Sequence, residues 1–242
     1  MRMRKKKNGE ARLFACRELI TEFPDKPMGE PWLAMGREKS PVFLEIGAGK
    51  GGFACEMARR NPDACYFAME KVSDCVVIAA EKASAMREEG RDNLRFIVDT
   101  ADNLTVIFEK ETVDKIFLNF SDPWSKKGYA KRRLTHRRYL AVYFNLLKDG
   151  GVLRFKTDNV GLFDFSLEEI EAMGLTCSKV TRDLHASEYN EGNVMTEYET
   201  AFSEAGVKIN MLEVVKPRGF APEISPELAN GRRRYSNDGE II

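Results

Sequence analysis

The stretch Phe43-Leu44-Glu45-Ile46-Gly47-Ala48-Gly49-Lys50-Gly51-Gly52 decides how the rest of the chain is interpreted. An apolar run leads into a glycine-rich turn, and a helical pattern follows from Phe53. Glycines in such a turn permit a positive φ and let a ligand approach the backbone closely. Glu70 lies 23 residues after Gly47, at the end of the next apolar run, where a carboxylate can accept both hydroxyls of a ribose. The stretch therefore predicts a strand–turn–helix unit that binds a nucleotide.

The turn by itself leaves several interpretations open. Gly47, Gly49 and Gly52 also satisfy the dinucleotide fingerprint GxGxxG, with an acidic residue about 20 positions further on. A purely structural tight turn is another interpretation. Glu45 favours a cationic ligand, such as a sulfonium cofactor with its free amino group, because a carboxylate at this place would repel a pyrophosphate. The plain alternative for Glu45 is a strand-end charge that faces water.

The order of apolar runs predicts an α/β fold. From about residue 41, short apolar runs alternate with amphipathic stretches, which indicates β-α-β units on a mostly parallel sheet. The predicted strands are rich in β-branched and aromatic residues, and they are Val42–Ile46, Cys65–Met69, Leu94–Val98, Lys115–Phe120 and Val152–Lys156. The predicted helices between them are Phe53–Arg60, Asp74–Glu88 and Arg138–Lys148. The last helix should end at the glycines of Asp149-Gly150-Gly151.

After residue 160 the pattern changes. The predicted elements are the helix Leu162–Met173 and the strands Cys177–Arg182, Thr200–Phe202 and Val207–Val215, the last two joined by Ser203-Glu204-Ala205-Gly206 in an antiparallel hairpin. We expect three regions, which are a basic N-terminal extension over residues 1–40, an α/β domain over 41–216 and a Pro-rich C-terminal tail over 217–242. The tail should pack loosely or not at all.

The composition is that of a globular protein. A chain of 242 residues with 43% hydrophobic and 31% charged residues is neither disordered nor a coiled coil. It holds no run of about 18 apolar residues, and its basic start lacks the apolar core of a secretory signal, so we expect a cytoplasmic protein with no membrane partner. Five cysteines without a CxxC pair and only two histidines argue against a disulfide scaffold and a metal site.

The stretch Asn119–Leu134, with the sequence NFSDPWSKKGYAKRRL, is the most informative about function. It leaves the carboxyl end of the predicted fourth strand, which is where ligands bind in open α/β sheets. The formal net charge is zero, yet eight Lys or Arg residues and no acid lie between Asp122 and Asp149. Cations interleaved with Trp124 and Tyr129 can hold phosphates and stack bases, which predicts an RNA-binding loop. The plain alternatives are a solvated charge run and, for Asp122, a cap of the following turn.

Six motifs together resemble the bacterial tRNA (guanine-N7-)-methyltransferases, in that family's order, over roughly residues 41 to 215. They are Glu45–Gly51, Asp122-Pro123-Trp124, Lys126-Lys127, Lys131-Arg132-Arg133-Leu134, Lys156-Thr157-Asp158-Asn159 and Thr196-Glu197-Tyr198-Glu199. The resemblance implies a Rossmann-like class I methyltransferase fold, with a seven-stranded, mostly parallel sheet, an antiparallel terminal hairpin and helices on both faces. It also implies S-adenosyl-L-methionine as the cofactor, tRNA as the partner and guanine 46 of the variable loop as the methylated base.

The resemblance also implies roles for individual residues. Asp122 matches the catalytic position and contacts the cofactor. The other implied cofactor-binding residues are Glu45, Gly47, Gly49, Glu70, Asp99 and Thr100. The implied substrate-binding residues are Lys126, Asp158, Thr196, Glu197, Tyr198 and Glu199. The implied RNA-contacting loop comprises Lys127, Gly128, Tyr129, Ala130, Lys131, Arg132 and Arg133.

The sequence departs from the family pattern at several places. Ser125 stands where the family commonly has Pro, and Gly128-Tyr129 replace a usual Arg-His pair. The turn Asp99–Asp102 leaves open which side chain contacts the adenine, and the tail after Val215 has no counterpart in compact members. The competing functions are a methyltransferase acting on another RNA or a small molecule, an NAD-dependent oxidoreductase with the same glycine loop, and a non-catalytic RNA-binding protein.

Overall fold

The described part of the chain, residues 6–21 and 23–231 of a computed structural model, is built on one seven-stranded sheet. Its strands are β1 (Val42–Ile46), β2 (Cys65–Met69), β3 (Leu94–Ile97), β4 (Val113–Asn119), β5 (Leu147–Thr157), β6 (Lys179–Thr181) and β7 (Asn210–Val215). Its α-helices are α1 (Gly9–Ala15), α2 (Gly52–Arg60), α3 (Ser73–Glu88), α4 (Leu104–Ile107), α5 (Arg137–Leu146), α6 (Val160–Ala172), α7 (Glu197–Glu204) and α8 (Pro226–Ala229).

The strand order is β3-β2-β1-β4-β5-β7-β6. Strands β1 to β5 pair in parallel, whereas β7 is antiparallel to both β5 and β6. The prediction of a mostly parallel sheet that ends antiparallel is therefore confirmed. The order reverses where β1 lies between β2 and β4, and ligands bind at the carboxyl ends of the strands at such a switch point.

Helices cover both faces of the sheet, so strands β1, β2 and β3 are buried on both sides. All residues of β1, β2 and β3 are buried, as expected for parallel strands between helical layers. Alternate residues of β1 enter different apolar clusters. Leu44 packs in the cluster that contains α4, α5 and α6, and Phe43 packs in the cluster that contains α2 and α3.

The predicted strand Thr200–Phe202 is wrong, because these residues belong to helix α7. The helix begins after Thr196, whose hydroxyl accepts a hydrogen bond from the Glu199 backbone amide at 2.9 Å. Thr followed by Glu three residues later is the sequence signature of a helix N-terminus, and this local cap outweighs the strand propensity of the residues behind it. Consequently the terminal antiparallel pair is β6 with β7, and the tight hairpin over Ser203–Gly206 does not form.

The glycine stop predicted for the helix Arg138–Lys148 is also wrong. Helix α5 ends at Leu146, and Leu147 already adopts an extended conformation with φ −64° and ψ 138°. Leu147 pairs in parallel with Val113 of β4, so the chain has joined β5 before it reaches Asp149-Gly150-Gly151. Strand pairing thus ends the helix.

The C-terminal tail packs on the core, contrary to the sequence-based expectation for residues 217–231. Leu228 of α8 is fully buried, and its carbonyl accepts a hydrogen bond from the Thr105 hydroxyl. The Phe220 ring meets the Phe144 ring edge-on at 5.7 Å. Residues 232–242 of the predicted tail lie outside the described residues. The tail therefore reaches from the end of β7 across α5 to α4.

The N-terminal segment packs on helix α3. Arg12 of α1 forms a bidentate pair with Glu81, with both N–O distances at 2.7 Å, and the Lys6 backbone amide donates to Asp74 at 2.8 Å. Further along, Ile20 forms a parallel bridge with Phe96. Among residues 6–21 and 23–231, no helix is long and apolar enough to cross a membrane.

We predict that Leu228→Ala destabilises the protein by about 3 kcal/mol, because deleting a fully buried leucine side chain loses its contacts and leaves a cavity. Urea unfolding measures the loss. Leu33→Ala is the matched control, since Leu33 is 56% exposed and its truncation should change the unfolding free energy by less than about 0.5 kcal/mol. Equal, small losses in both variants would show that the tail does not pack as described.

Candidate active site

A cleft of about 2080 Å³ opens over the carboxyl ends of β1, β2 and β4, at the switch point of the sheet. The predicted site residues that line it are Gly47, Gly49, Glu70, Asp99, Thr100, Asp122, Gly128, Tyr129, Lys131, Arg132, Glu197 and Tyr198. The predicted site residues that do not line it are Glu45, Lys126, Lys127, Ala130, Arg133, Asp158, Thr196 and Glu199. One cleft thus brings together the glycine turn, the acid after β2 and Asp122.

The glycine turn forms the floor of the cleft. Gly47 and Gly49 have positive φ angles of 84° and 55°, and no atom lies within 4 Å of the position that a side chain would occupy. A ligand can therefore approach this backbone directly. Gly51 serves packing instead, because a Cβ there would lie only 2.6 Å from the Cβ of Ala79 on α3.

Glu70 ties the glycine turn to the start of helix α3. One carboxylate oxygen accepts from the Gly49 amide at 3.0 Å, and the other accepts from the Val72 amide at 2.9 Å. Each carboxylate oxygen can accept more than one hydrogen bond. The carboxylate is therefore fixed in place and still able to accept hydroxyl groups from a ligand in the cleft.

Glu45 lies directly beneath the cleft and is only 2% exposed, so the interpretation as a charge facing water is wrong. Its Oε1 accepts from the Asn119 side chain at 3.0 Å, and Asn119 itself lines the cleft. Its Oε2 has no hydrogen bond of good geometry among the described residues, although the Tyr66 hydroxyl lies nearby. Burial raises the pKa of Glu45 to about 7, and Asn119 and Lys156 oppose the rise. An unpaired buried carboxylate oxygen here suits a cationic group and disfavours a pyrophosphate.

The turn after β3 forms another wall of the cleft. Asp99 accepts from the Thr100 amide at 2.6 Å and from the Asn103 side chain at 2.8 Å. Asp102 accepts from the Tyr139 hydroxyl of α5 at 2.7 Å. Both carboxylates therefore shape the turn itself, whereas the Thr100 hydroxyl accepts only a longer bond of 3.3 Å from the Asp102 amide.

Asp122 is exposed in the cleft, between two residues with left-handed backbone conformations. Phe120 has φ 52° and Trp124 has φ 40°, which are unfavourable for bulky side chains and recur at functional sites. The Phe120 ring stacks on Phe202 of α7 at 6.2 Å. Within residues 6–21 and 23–231, no group forms a hydrogen bond or ion pair with Asp122, and the 3₁₀-helix that follows has no side-chain cap. The interpretation of Asp122 as a turn cap is therefore wrong.

The cationic loop forms the outer rim of the cleft. It contains the 3₁₀-helix Lys127–Arg132, and its exposed cations are Lys126, Lys127, Lys131 and Arg132. The Arg132 guanidinium lies 5.1 Å above the Trp124 ring and 4.6 Å above the Tyr129 ring. Arg133 is half-buried and donates to main-chain carbonyls instead of facing solvent. Among the predicted RNA-contacting cations, Lys127, Lys131 and Arg132 are thus exposed, whereas the Arg133 guanidinium binds main-chain carbonyls of the protein.

Helix α7 brings Glu197 and Tyr198 to the cleft and is held there by a buried ion pair. Glu199 is fully buried, and the Lys156 ammonium donates to its Oε2 at 2.5 Å. The other oxygen accepts from Asn193 at 2.6 Å and lies 2.9 Å from His185 Nε2. Burial raises the pKa of Glu199, but Lys156 and these hydrogen bonds lower it further, so Glu199 is a buried carboxylate whose pKa lies below its ordinary value. Glu199 does not reach the cleft, whereas Tyr198 is 63% exposed at its wall.

Sequence reasoning assigned no role to Asn119 or Lys156, although both hold predicted residues in place. Asn119 ends strand β4 and binds Glu45, and Lys156 lies in β5 and binds Glu199. The lysine that ends the predicted strand Val152–Lys156 was the available signal, because a cation at the buried end of a central strand needs a carboxylate partner.

Comparisons with known proteins match the chain to methyltransferases. A family model described as a putative methyltransferase matches residues 39–212. A tRNA (guanine-N(7)-)-methyltransferase of Lachnoclostridium phytofermentans is 43% identical over 205 residues, which cover 84% of this chain and 94% of that protein.

Solved structures of low sequence identity share the fold. The 16S rRNA methyltransferase KamB has a TM-score of 0.60 at 13% identity, covering 81% of this chain and 95% of its own. An antibiotic-related methyltransferase has a TM-score of 0.55 at 16% identity, covering 80% of this chain and 96% of its own. These likenesses, together with the strand order, confirm the predicted Rossmann-like methyltransferase fold.

Glu45 should make the unfolding free energy fall as the pH rises from about 5 to about 7. The folded chain holds the Glu45 proton up to about pH 7, and the unfolded chain releases it near the ordinary pKa of 4.5, so stability present at low pH is lost through this window. Glu45→Gln removes this equilibrium and should flatten the pH dependence by on the order of 2 kcal/mol.

Urea unfolding at pH 5, 6 and 7 checks this prediction. The exposed Glu204 has no partner among the described residues, so Glu204→Gln is the control and should keep the slope of the unchanged protein. Identical slopes for Glu45→Gln and the unchanged protein would contradict the raised pKa.

Proposed function

Because this chain belongs to the tRNA (guanine-N7-)-methyltransferase family, we propose that it transfers the methyl group of S-adenosyl-L-methionine to N7 of guanine 46 in the variable loop of tRNA. The observation that carries the proposal is the single cleft in which the glycine turn, Glu70 and Asp122 meet beside a cationic loop. The relative that is 43% identical carries a tRNA (guanine-N(7)-)-methyltransferase name. A tRNA substrate also implies an enzyme of the cytoplasm.

The residues of the cleft suit this cofactor from end to end. The backbone of Gly47 and Gly49 offers the open floor, and Glu70 presents fixed carboxylate oxygens to the ribose hydroxyls. The buried Glu45 carboxylate beneath the floor of the cleft suits the cationic amino-acid end through its charge and not through direct contact, and it disfavours a pyrophosphate at this place. The turn from Asp99 to Thr100 borders the adenine end. When bound, S-adenosyl-L-methionine supplies a methyl group activated by the positive charge on sulfur.

Asp122 acts on the guanine and not as a strong base. Guanine N7 carries an in-plane lone pair, so no proton has to leave before the new carbon–nitrogen bond forms. The base gains positive charge in this step, and the exposed, unpaired Asp122 carboxylate stabilises that charge as it develops or holds the amino edge of the base. The remaining acceleration comes from alignment of the two reactants in one cleft.

The rim of the cleft supplies contacts to the tRNA. Lys126, Lys127 and Lys131 are exposed cations that neutralise phosphates without reading sequence. Tyr129 and Tyr198 are exposed aromatic side chains that line the cleft and can stack on an unstacked base. Two further predicted substrate-binding residues are Glu197, which lines the cleft, and Asp158, which directly follows β5. We assign Thr196 and Glu199 an indirect part in substrate binding, because their contacts cap and anchor helix α7.

The decisive experiment supplies methyl-labelled S-adenosyl-L-methionine and unmodified tRNA, followed by digestion and identification of the labelled nucleoside. We expect 7-methylguanosine, at most one per tRNA, and no label when adenine replaces guanine 46. Label on another atom, or on the tRNA with adenine at that position, would refute the assigned base. Protection against heat by NADH and not by S-adenosyl-L-methionine would refute the cofactor.

Asp122→Asn should lower the single-turnover methylation rate by about 10²- to 10³-fold while the dissociation constant for tRNA changes less than about twofold. The reason is that the change removes the charge that stabilises the product-like guanine and leaves the cationic rim intact. Rapid-quench kinetics and filter binding measure the two quantities. The exposed Asp63 precedes β2 at the opposite edge of the sheet, so Asp63→Asn is the control. Equal losses of rate and affinity would contradict the role of Asp122.

Combined Lys127→Ala and Lys131→Ala should reduce the slope of log affinity for tRNA against log salt by about 2, since each phosphate contact contributes about 0.9. Affinity measured between low and high salt gives the slope. Lys110→Ala with Lys208→Ala removes two other exposed lysines and should leave it unchanged. An unchanged slope for the loop variant would exclude the loop from the interface.

A further inference from the structure

Arg133 belongs by sequence to the cationic run, but its guanidinium points into the protein. It is half-buried, its Nε donates to the Pro123 carbonyl at 3.0 Å, and its Nη2 donates to the Trp124 carbonyl at 3.2 Å. Its Cζ lies 4.3 Å from the centre of the Phe165 ring of α6. The guanidinium is therefore held between the ring of a helix and two successive carbonyls.

The two carbonyls belong to the residues that follow Asp122. Trp124 has the left-handed φ of 40°, and such a conformation in a bulky residue persists only where the surroundings fix it. A planar guanidinium can donate to two neighbouring carbonyls at once, whereas an ammonium cannot match that fork. Arg133 thus holds two successive carbonyls of the turn that follows Asp122.

The residues that follow Arg133 are held firmly against the core and helix α6. Leu134 packs against the main apolar cluster, and the hydroxyl of the buried Thr135 accepts a hydrogen bond from Ser166 of α6 at 2.8 Å. The Phe165 ring that faces Arg133 belongs to the same helix. Arg133 therefore connects the fixed helix α6 to the turn that carries Asp122.

We propose that Arg133 is a positioning residue for Asp122 and not a phosphate contact, so that the cationic run divides into solvent-facing lysines and an inward-facing arginine. The inference rests on the proposed function of the cleft and adds a role that the run of basic residues alone does not indicate. Arg133 acts through the backbone of Pro123 and Trp124, without touching the base or the cofactor.

The test compares Arg133→Ala and Arg133→Lys with Lys131→Ala in the full chain. We expect both Arg133 variants to lower the methylation rate at saturating tRNA and cofactor at least 10-fold, with the salt slope of tRNA affinity unchanged. Lys131→Ala should reduce the slope by about 1, and Lys110→Ala, an exposed lysine outside the cleft, should change neither the saturated rate nor the slope. A reduced slope with a normal saturated rate in Arg133→Ala, or a normal rate in Arg133→Lys, would overturn the proposal.

A second readout needs no activity and separates this proposal from the proposed function. The chain has two tryptophans, Trp32 and Trp124, so Trp32→Phe leaves Trp124 as the single fluorescent reporter. Adding Arg133→Lys should shift the Trp124 emission to the red and raise its access to a soluble quencher, because the turn is released. Unchanged emission and quenching would refute the positioning role, even in a protein that methylates another substrate.

A milder variant covers the case in which Arg133→Ala does not fold. Phe165→Leu keeps an apolar side chain on α6 and removes the ring that faces the guanidinium. We expect a smaller loss of saturated rate and a smaller red shift than in Arg133→Lys, in the folded protein as judged by circular dichroism. A normal rate together with a normal Trp124 emission would count against the connection through α6.

Discussion

The buried ion pair between Lys156 and Glu199 is the interaction on which the site depends. It joins strand β5 to helix α7, and both side chains are almost fully buried. Two charges taken out of water are stable only when other groups complete their hydrogen bonds. The Val194 carbonyl and the Asn193 side chain do so for Lys156, and Asn193 and His185 do so for Glu199. The pair therefore anchors helix α7, with Tyr198 at the cleft, to strand β5.

Lys156 and helix α7 also contact the residues on two sides of the cleft, which are the stretch around the glycine turn and the stretch around Asp122. Lys156 also lowers the pKa of Glu45, which burial raises, so the charge state of the acid beneath the glycine turn depends on a lysine anchored to α7. Phe202 of α7 stacks on Phe120, two residues before Asp122. The glycine turn and the Asp122 stretch of the cleft are thus both connected to contacts of one short helix.

The sequence predicted the parallel half of the fold well, because strands buried on both faces are continuous apolar runs. The bounds of β1 and β2 agree with the predicted Val42–Ile46 and Cys65–Met69. Thr200–Phe202 was mispredicted because the cap at Thr196 acts over three residues and outweighs propensity. The burial of Glu199 and the inward turn of Arg133 could not be predicted, since each depends on a partner distant in sequence or on a fold of the loop that charge alone does not reveal.

The packing of α8 also determines where the folding unit ends. The family match ends at residue 212, inside β7, and the last strand ends at Val215. A fragment cut behind that strand would keep every strand of the sheet and still uncover the apolar surface that Leu228 and Phe220 occupy. Newly exposed apolar surface of this kind promotes self-association. A catalytic fragment of this chain that stays soluble therefore has to include the segment up to residue 229.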